Sequence, residues 1–188
     1  MRKLKLQMQI SLDGFVAGPN GEMDWMVTDW SADLNQYVGR IVADIDTIVL
    51  GRKLAEGFIP YWAGVAADPT HAEHEGGRIF TDTPKVVFTH SMEQSPWANT
   101  TLAKGGIGDE VRQLKQQAGG SIYACGGARF VSSLVRHNLI DEYFLLVNPS
   151  AIGAGMPIFK EAGGQRPLQL VEAVPFACGI VAMHYRPK

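Results

Sequence analysis

Alternating and helical hydrophobic patterns follow one another along most of the chain. Residues 4–10 alternate apolar and polar side chains, which is the two-residue period of a β-strand. A helical pattern begins at Ser31, and another covers 109–118. The runs 46–51 and 85–88 are nearly continuous β-branched or apolar segments, typical of strands that are buried on both faces. The pattern therefore predicts strands and helices in alternation.

The stretch 121–147 has the most compact pattern: a strand, the turn Gly126-Gly127, a helix and a second strand. Glycine has no Cβ, so the backbone can turn tightly there and a ligand can approach it closely. The helix that follows begins with unpaired N–H groups, which bind phosphate groups in many proteins. We interpret this turn as a candidate anion site. A turn that only reverses the chain is the alternative, because the motif is not G-x-G-x-x-G.

The remaining segments complete the predicted fold. After 46–51 we expect a short helical turn over 54–58 and one further helix near 70–80. Near the C-terminus, 168–174 and 178–186 are strand-like and should pair as an antiparallel hairpin. The predicted fold is α/β, with a mostly parallel twisted sheet flanked by helices and a C-terminal antiparallel hairpin, in a single domain over 1–188.

Polar or glycine residues follow three of the predicted strands. Arg52 and Lys53 follow the second strand, residues 89–91 follow the third, and Gly126 follows the fourth. Carboxyl ends of parallel strands meet at one edge of a sheet, so these residues could form a continuous site for a phosphorylated ligand. No acidic residue stands just after the second strand, where a carboxylate would suit a free ribose hydroxyl. The cations there favour NADPH over NADH.

Composition excludes several other classes of protein. The 188 residues are 46% hydrophobic and carry a formal net charge of -2, which gives no basic excess for binding nucleic acid. No long apolar run or signal peptide is evident, so we expect a cytoplasmic protein that does not enter a membrane. Cys125 and Cys178 belong to no C-x-x-C pair, and His71 and His74 lack H-E-x-x-H spacing, so no metal site is predicted.

Four stretches of the chain are ISLDGFVAG, IVLGRKL, KVVFTHS and IYACGGARFVSSLVRHNLIDEYFLLVNPSAIGAG. Together they resemble the dihydrofolate reductase family and, within it, the branch that contains the reductase domain of riboflavin biosynthesis, the RibD C-terminal domain. The last is the most specific, because strand, Gly-Gly, helix, L-I-D-E and P-x-x-x-G-x-G occur together. The resemblance covers nearly the whole chain. It implies an NADPH-dependent reductase that transfers hydride to a small heterocyclic or sugar-derived substrate.

The resemblance also implies roles for individual residues. Residues 126–129 would bind the pyrophosphate of NADPH, while Arg52, Lys53 and 89–91 would hold its 2′-phosphate side. The substrate would contact the first strand, the loop after it and the segment after the second strand. The implied cofactor-binding residues are Val16, Ala17, Gly51, Arg52, Lys53, Thr89, His90, Ser91, Cys125, Gly126, Gly127, Ala128 and Arg129, and the implied substrate-binding residues are Gln9, Trp25, Leu54 and Phe58.

The proton donor remains open at this stage. Folate-reducing members of the family use a carboxylate near the start of the first helix, and both Asp29 and Asp33 are candidates. Asp13 matches the S-L-D-G segment of the riboflavin-type enzymes. We take Asp33 and Asp13 as the candidate catalytic residues, with an ordered water as the alternative. Both also suit ordinary structural roles, in a first helical turn and in an Asp-Gly turn.

Two further functions compete with the general reductase. One is a nucleotide-binding or flavin-binding module of the same fold without efficient turnover. The other is aminouracil reduction in riboflavin synthesis, although we expect no attached deaminase, because the sequence does not combine H-x-E with the C-x-x-C of the deaminase zinc signature. The expected partners are a small-molecule substrate and a second copy of the chain, joined as a homodimer through an exposed sheet edge.

Overall fold

The computed structural model describes residues 1–160 and 162–188, and its strands form one eight-stranded sheet. Strands are β1 (Leu4–Ile10), β2 (Ile45–Gly51), β3 (Lys85–Phe88), β4 (Thr100–Ala103), β5 (Ser121–Ala124), β6 (Glu142–Val147), β7 (Leu168–Pro175) and β8 (Val181–Pro187). Helices are α1 (Ala32–Val42), α2 (Arg52–Ala67), α3 (His74–Asp82), α4 (Ile107–Gln116) and α5 (Ala128–Arg136).

The sheet has the strand order β4-β3-β2-β5-β1-β6-β8-β7. The six strands from β4 to β6 in this order pair in parallel, while β8 pairs antiparallel to both β6 and β7. This confirms the predicted fold class, including the C-terminal antiparallel hairpin. β5 occupies the position between β2 and β1, so the chain leaves β1, builds one half of the sheet and then returns to its centre.

Helices cover both faces of the sheet. On one face, α4 and α5 pack on β1 and β5, with Val111, Leu134 and Leu6 in one buried cluster. On the other face, α1 and α2 pack on the sheet, where Leu34 and Ile59 belong to a second cluster. Each fully buried leucine contributes roughly 2 kcal/mol to folding through removal of apolar surface from water. These two clusters fix the helix positions that frame the functional site.

The predicted short helical turn over 54–58 is wrong, because α2 is a helix of 16 residues with Pro60 inside it. An interior proline removes a backbone hydrogen bond and costs roughly 3 kcal/mol. The ring of Phe80, on α3, packs against Phe58 and Trp62 with centroid separations of 5.4 and 4.8 Å. This aromatic packing on either side of the proline offsets its cost.

The β4 edge strand was not predicted. It has only four residues and pairs in parallel with β3 from the Lys85–Thr100 pair to the Phe88–Ala103 pair. Its sequence, TTLA, has no clear alternation that would mark a strand. The helix predicted near 70–80 is observed as α3, and the helix predicted over 109–118 begins and ends two residues earlier, as α4. Among the described helices, none has the length and hydrophobicity required to cross a membrane.

Candidate functional site

A cleft of about 1040 Å³ opens at the carboxyl ends of β1 and β5. Helix α1 forms one wall, and α2 and α3 form the other. The loop after β1 and the turn after β5 close its inner end. Its lining residues include Gln7, Gln9, Val16, Ala17, Met26, Asp29, Trp30, Lys53, Leu54, Phe58, Trp62, Glu73, Glu75, Phe80, Tyr123, Cys125, Gly126, Gly127, Ala128 and Met156. The cleft is mostly apolar, with a few polar groups, as small-molecule sites usually are.

The glycine turn lies at the inner end of this cleft. Gly127 has φ +79°, a left-handed conformation that favours glycine, and it is the N-cap of α5. A Cβ added to Gly126 would lie 3.2 Å from Cδ2 of Leu54, so this turn packs tightly against α2. The first turn of α5 contains no acidic residue, and no side chain caps its N–H groups. These N–H groups are therefore available to an anion.

The N-terminus of α2 lies beside that of α5. A Cβ added to Gly51, the N-cap of α2, would lie 3.0 Å from Cβ of Phe130, and one added to Gly127 would lie 3.7 Å from Cβ of Leu54. The first turn of α2 also lacks an acidic residue and a capping side chain. Each helix N-terminus carries a partial positive charge. Two uncompensated positive ends therefore meet at the rim of the cleft.

Cationic and hydroxyl groups extend this rim along the sheet. Arg52 donates from Nη1 to Oε1 of Glu56 at 2.5 Å, and the Lys53 side chain lines the cleft. β2 and β3 pair so that Gly51 lies opposite Phe88, so the residues that follow these two strands leave the sheet at the same edge. The predicted cofactor residues fall into two groups. Those that line the cleft are Val16, Ala17, Lys53, Cys125, Gly126, Gly127 and Ala128. Those that lie on this rim, outside the cleft lining, are Gly51, Arg52, Thr89, His90, Ser91 and Arg129.

Backbone hydrogen bonds hold the loop after β1 against the cleft. The N–H of Val16 donates to the carbonyl of Met156 at 3.0 Å, and the N–H of Met156 donates to the carbonyl of Ala17 at 2.8 Å. Cys125, directly before the glycine turn, also lines the cleft, and burial raises the pKa of its thiol to about 12. The Cys125 side chain is therefore an uncharged thiol at neutral pH.

The floor of the cleft is polar. Gln7 and Gln9 share one face of β1, and Tyr123 on the adjacent β5 donates its hydroxyl to Oε1 of Gln7 at 2.5 Å. Oε1 of Gln9 accepts a hydrogen bond from Nδ2 of Asn148 at 3.1 Å. The sequence analysis proposed Gln9 and missed Gln7 and Tyr123. The signal that could have identified Gln7 is the alternation in β1, because Gln7 and Gln9 are polar residues in a strand that lies inside the sheet.

The predicted catalytic aspartates lie outside the cleft lining. The Asp13 carboxylate accepts hydrogen bonds from the Ser11 hydroxyl at 2.6 Å and from the Gly153 N–H at 2.6 Å, contacts that lower the pKa of Asp13. The Asp33 carboxylate, in the first turn of α1, accepts from the N–H of Leu34 at 2.9 Å. Asp29, the other candidate near α1, does line the cleft. Catalytic roles for Asp13 and Asp33 stay predictions.

The predicted substrate-binding residues are also divided. Gln9, Leu54 and Phe58 line the cleft, whereas Trp25 lies outside the lining and donates from Nε1 to the carbonyl of Glu22 at 3.2 Å. Trp30 contributes the indole ring on that side of the cleft instead. Across residues 1–160 and 162–188, no group of three or more His, Cys, Asp or Glu side chains could hold a metal ion.

Known proteins and protein families include several that are similar to this chain. The sequence profile of the RibD C-terminal domain matches residues 2–182, which is nearly the whole chain. The chain belongs to the RibD C-terminal domain family. This confirms the resemblance that the sequence motifs indicated.

Two relatives of this RibD C-terminal domain protein are found in Bacillus subtilis (strain 168). The uncharacterised protein YyaP is 29% identical over 187 residues, covering 98% of this chain and 94% of YyaP. The uncharacterised protein YwjB is 27% identical over 190 residues, covering 98% of this chain and 97% of YwjB. Both relatives therefore match this chain over nearly their full lengths.

Three solved structures share the fold of this RibD C-terminal domain. A protein named as a putative riboflavin biosynthesis protein, from Shewanella sp. PV-4, has a TM-score of 0.73 at 18% identity, covering 100% of this chain and 99% of that one. The Thermotoga maritima diaminohydroxyphosphoribosylaminopyrimidine deaminase/5-amino-6-(5-phosphoribosylamino)uracil reductase has a TM-score of 0.67 at 18% identity, covering 100% of this chain and 57% of that one. Dihydrofolate reductase from Enterococcus faecalis, complexed with NADP(H) and RAB-propyl, has a TM-score of 0.64 at 16% identity, covering 99% and 96%.

Proposed function

We propose that the protein is an NADPH-dependent reductase that transfers hydride to a small heterocyclic or sugar-derived substrate. The observation that carries the proposal is the meeting of two helix N-termini, those of α2 and α5, at the rim of a large cleft. Neither first turn contains an acidic residue, and Arg52 and Lys53 add two cations. A dinucleotide with an added 2′-phosphate has the charge that such a rim would bind.

The residues present fit NADPH on structural grounds. The Gly126-Gly127 turn places no side chain of its own beside the uncapped N–H groups of α5, which suit a pyrophosphate. The N-terminus of α2, with Arg52, suits the 2′-phosphate. Val16 and Ala17 border the inner end of the cleft, where a nicotinamide would lie. The shared fold with an NADP(H)-bound dihydrofolate reductase supports the same assignment.

The chain itself would orient the reactants and exclude water. Bound NADPH would supply the hydride for a C=N or C=O carbon of the substrate. Phe58, Trp62 and Phe80 form an aromatic wall beside this position and limit access of solvent. Asp29 lines the cleft, and in this proposal it holds the water that provides the proton to the other substrate atom.

The test is a titration with NADPH and NADH that follows tryptophan fluorescence, since Trp30 and Trp62 line the cleft. Gly127→Ala should weaken NADPH binding by roughly tenfold or more, because an alanine resists φ +79° and the turn must shift. Gly163→Ala is the matched control: Gly163 has φ +70° and no atom within 4 Å of an added Cβ. It imposes similar backbone strain at a residue outside the cleft lining and should leave the affinity unchanged.

Two results would contradict the proposal. One is equal NADPH affinity of the wild-type protein and Gly127→Ala, with both proteins folded by circular dichroism. The other is the absence of NADPH binding together with a yellow chromophore in the purified protein, which would favour the flavin-binding module instead.

A further inference from the structure

A second cavity, of about 290 Å³, lies near the amino ends of the sheet strands, whereas the cleft opens at carboxyl ends. Tyr143 and Leu168, which border this cavity, stand at the starts of β6 and β7. The lining residues are Tyr143, Phe159, Ala162, Gly164, Arg166 and Leu168, and none of them lines the cleft. The cavity is therefore separate from the site proposed for NADPH.

The walls of this cavity are mainly apolar. The rings of Tyr143 and Phe159 have centroids 6.2 Å apart and planes at 33° to each other, and Leu168 adds an aliphatic surface. Such walls favour a planar ring over a small hydrated ion. Cavities that hold drug-sized ligands measure about 300 to 1,000 Å³, so this cavity suits a ligand of only one or two rings.

Arg166 places a cation with a fixed position at this cavity. Its Nε and Nη2 donate to the carbonyl of Ala162 at 3.0 and 2.7 Å, and Nη2 also donates to the carbonyl of Arg136 at 2.9 Å. These bonds leave the N–H groups of Nη1 for a ligand. Within residues 1–160 and 162–188, no carboxylate pairs with Arg166. A guanidinium without an ion pair favours an anionic group on the ligand.

The Tyr143 hydroxyl is a second donor at the cavity. Tyr143 is only 3% exposed, yet its hydroxyl has no hydrogen-bond partner in the part of the chain that the structure describes. Buried tyrosine hydroxyls usually have such a partner. Burial raises the pKa of Tyr143 to about 12 although the charge of Arg166 opposes the rise, so the hydroxyl keeps its proton and can donate. Asp141, the carboxylate that also acts on Tyr143, is already paired with Lys115 at 2.5 Å.

We infer that this cavity is a second ligand site and that it binds a small aromatic carboxylate. The carboxylate accepts hydrogen bonds from Nη1 of Arg166 and from the Tyr143 hydroxyl, and the ring lies against Phe159 and Leu168. One carboxylate can accept from both donors at once. The inference is independent of the proposed reductase function, because it uses no residue of the cleft.

Three probes separate the charge of the ligand from its shape. They are 2-naphthoate, the uncharged 2-naphthamide of nearly the same shape, and inorganic phosphate, which has charge but no ring. Each is titrated calorimetrically into the protein with and without NADPH. We expect 2-naphthoate to bind roughly tenfold more tightly than 2-naphthamide, because its hydrogen bonds are charge-assisted. We also expect the same 2-naphthoate affinity with and without NADPH, and no binding of phosphate in the same concentration range.

Removal of the Tyr143 hydroxyl tests the second donor. Tyr143→Phe keeps the ring, so it should weaken 2-naphthoate binding roughly threefold to tenfold by loss of one hydrogen bond. Tyr185→Phe is the matched control, because Tyr185 lies opposite Tyr143 on β8 but does not line the cavity. The Tyr185 hydroxyl donates to Sδ of Met183 at 3.5 Å. Its loss should leave 2-naphthoate binding unchanged.

Two further variants test the cation and the cavity. Arg166→Gln should weaken 2-naphthoate binding roughly tenfold and leave 2-naphthamide binding unchanged, whereas a mere shift of the backbone that Arg166 holds would weaken both. Arg112→Gln, at an exposed arginine of α4, should change neither affinity. Ala162→Leu fills the cavity without removing either donor, so it should abolish binding of both naphthalene probes.

Several results would overturn the inference. They are equal affinities of 2-naphthoate and 2-naphthamide, no binding of 2-naphthoate, binding of phosphate as tight as that of 2-naphthoate, and an unchanged 2-naphthoate affinity in folded Arg166→Gln. Competition between NADPH and 2-naphthoate would place the probe in the cleft and would overturn the inference as well. None of these results changes the reductase proposal, whose test is the binding of NADPH itself.

Discussion

Removal of the Arg52 side chain should weaken NADPH binding while leaving NADH binding nearly unchanged. Arg52 stands at the N-terminus of α2, half-buried, and its guanidinium donates to Glu56 one helical turn later at 2.5 Å. Binding of the 2′-phosphate would draw the guanidinium away from Glu56 or share it between both groups. The Arg52→Ala change therefore removes a charge-assisted hydrogen bond to the phosphate, but it also removes a competing intrahelical pair.

The magnitude follows from these two contributions. A hydrogen bond to a charged group contributes about 1.5 to 3 kcal/mol. An exposed pair four residues apart on a helix contributes about 0.3 to 0.5 kcal/mol, which NADPH binding must replace. The net loss in Arg52→Ala is then about 1 to 2.7 kcal/mol, or roughly fivefold to a hundredfold in Kd. Glu56→Gln removes only the competing pair, so it should strengthen NADPH binding about twofold.

Fluorescence titrations with both cofactors at one fixed ionic strength measure these changes. Arg112→Ala is the matched control, because Arg112 also forms an intrahelical pair, with Asp109 at 3.0 Å, on a helix to which no cofactor contact is assigned. Equal losses of NADPH and NADH affinity in Arg52→Ala would refute the assignment of the 2′-phosphate to this rim. So would a loss of the same size in Arg112→Ala.

Two further predictions concern stability and assembly. Hydrogen bonds from Ser11 and the 152–153 backbone lower the pKa of Asp13, so the stability that its carboxylate contributes is present above the ordinary pKa of 3.8 and is lost as pH falls through the pKa of the folded state. Asp13→Asn should therefore lower the urea midpoint at about pH 6, and the difference from the wild-type midpoint should narrow towards about pH 3. A difference that stays constant with pH, or an equal difference for exposed Asp24→Asn, would contradict this prediction. The outermost strand, β7, exposes Leu170 and Val171 by 50% and 45%, so Leu170→Lys should convert the proposed homodimer to monomer in sedimentation velocity, and an unchanged sedimentation coefficient would contradict association through this edge.

The fold was predictable because its strongest signals are local. The 121–147 unit combines a strand, a glycine turn, a helix and a strand within 27 residues, and each part has its own pattern. The convergence of three strand ends at one rim follows from parallel pairing alone. α2 was missed because an interior proline commonly ends a helix, whereas here buried Ile59 and the contacts of Phe58 and Trp62 with Phe80 hold the helix on both sides of Pro60.

The substrate half of the cleft was less predictable, because its determinants are contacts between distant residues. Gln7 and Gln9 look like the solvated face of an ordinary strand until β1 is placed inside the sheet with α1 above it. The orientation of their amides depends on Tyr123 and Asn148, which are more than a hundred residues away in sequence. Nothing in the local sequence couples these positions. The sequence also did not show which candidate acid lines the cleft. Asp29 and Asp33 are four residues apart, but only Asp29 is among the described lining residues.

The place of β5 in the sheet has a consequence for synthesis of the protein on the ribosome. β1 and β2 are made first, yet they do not pair with each other, because the position between them belongs to a strand that ends at Ala124. Until that strand emerges, the nascent chain holds two unpaired hydrophobic edges that could pair with other chains. Before β5 has been made, the chain has neither the Gly126-Gly127 turn nor the Tyr123 hydroxyl that binds Gln7. A chain interrupted before residue 124 would thus be prone to aggregation and would bind no nucleotide.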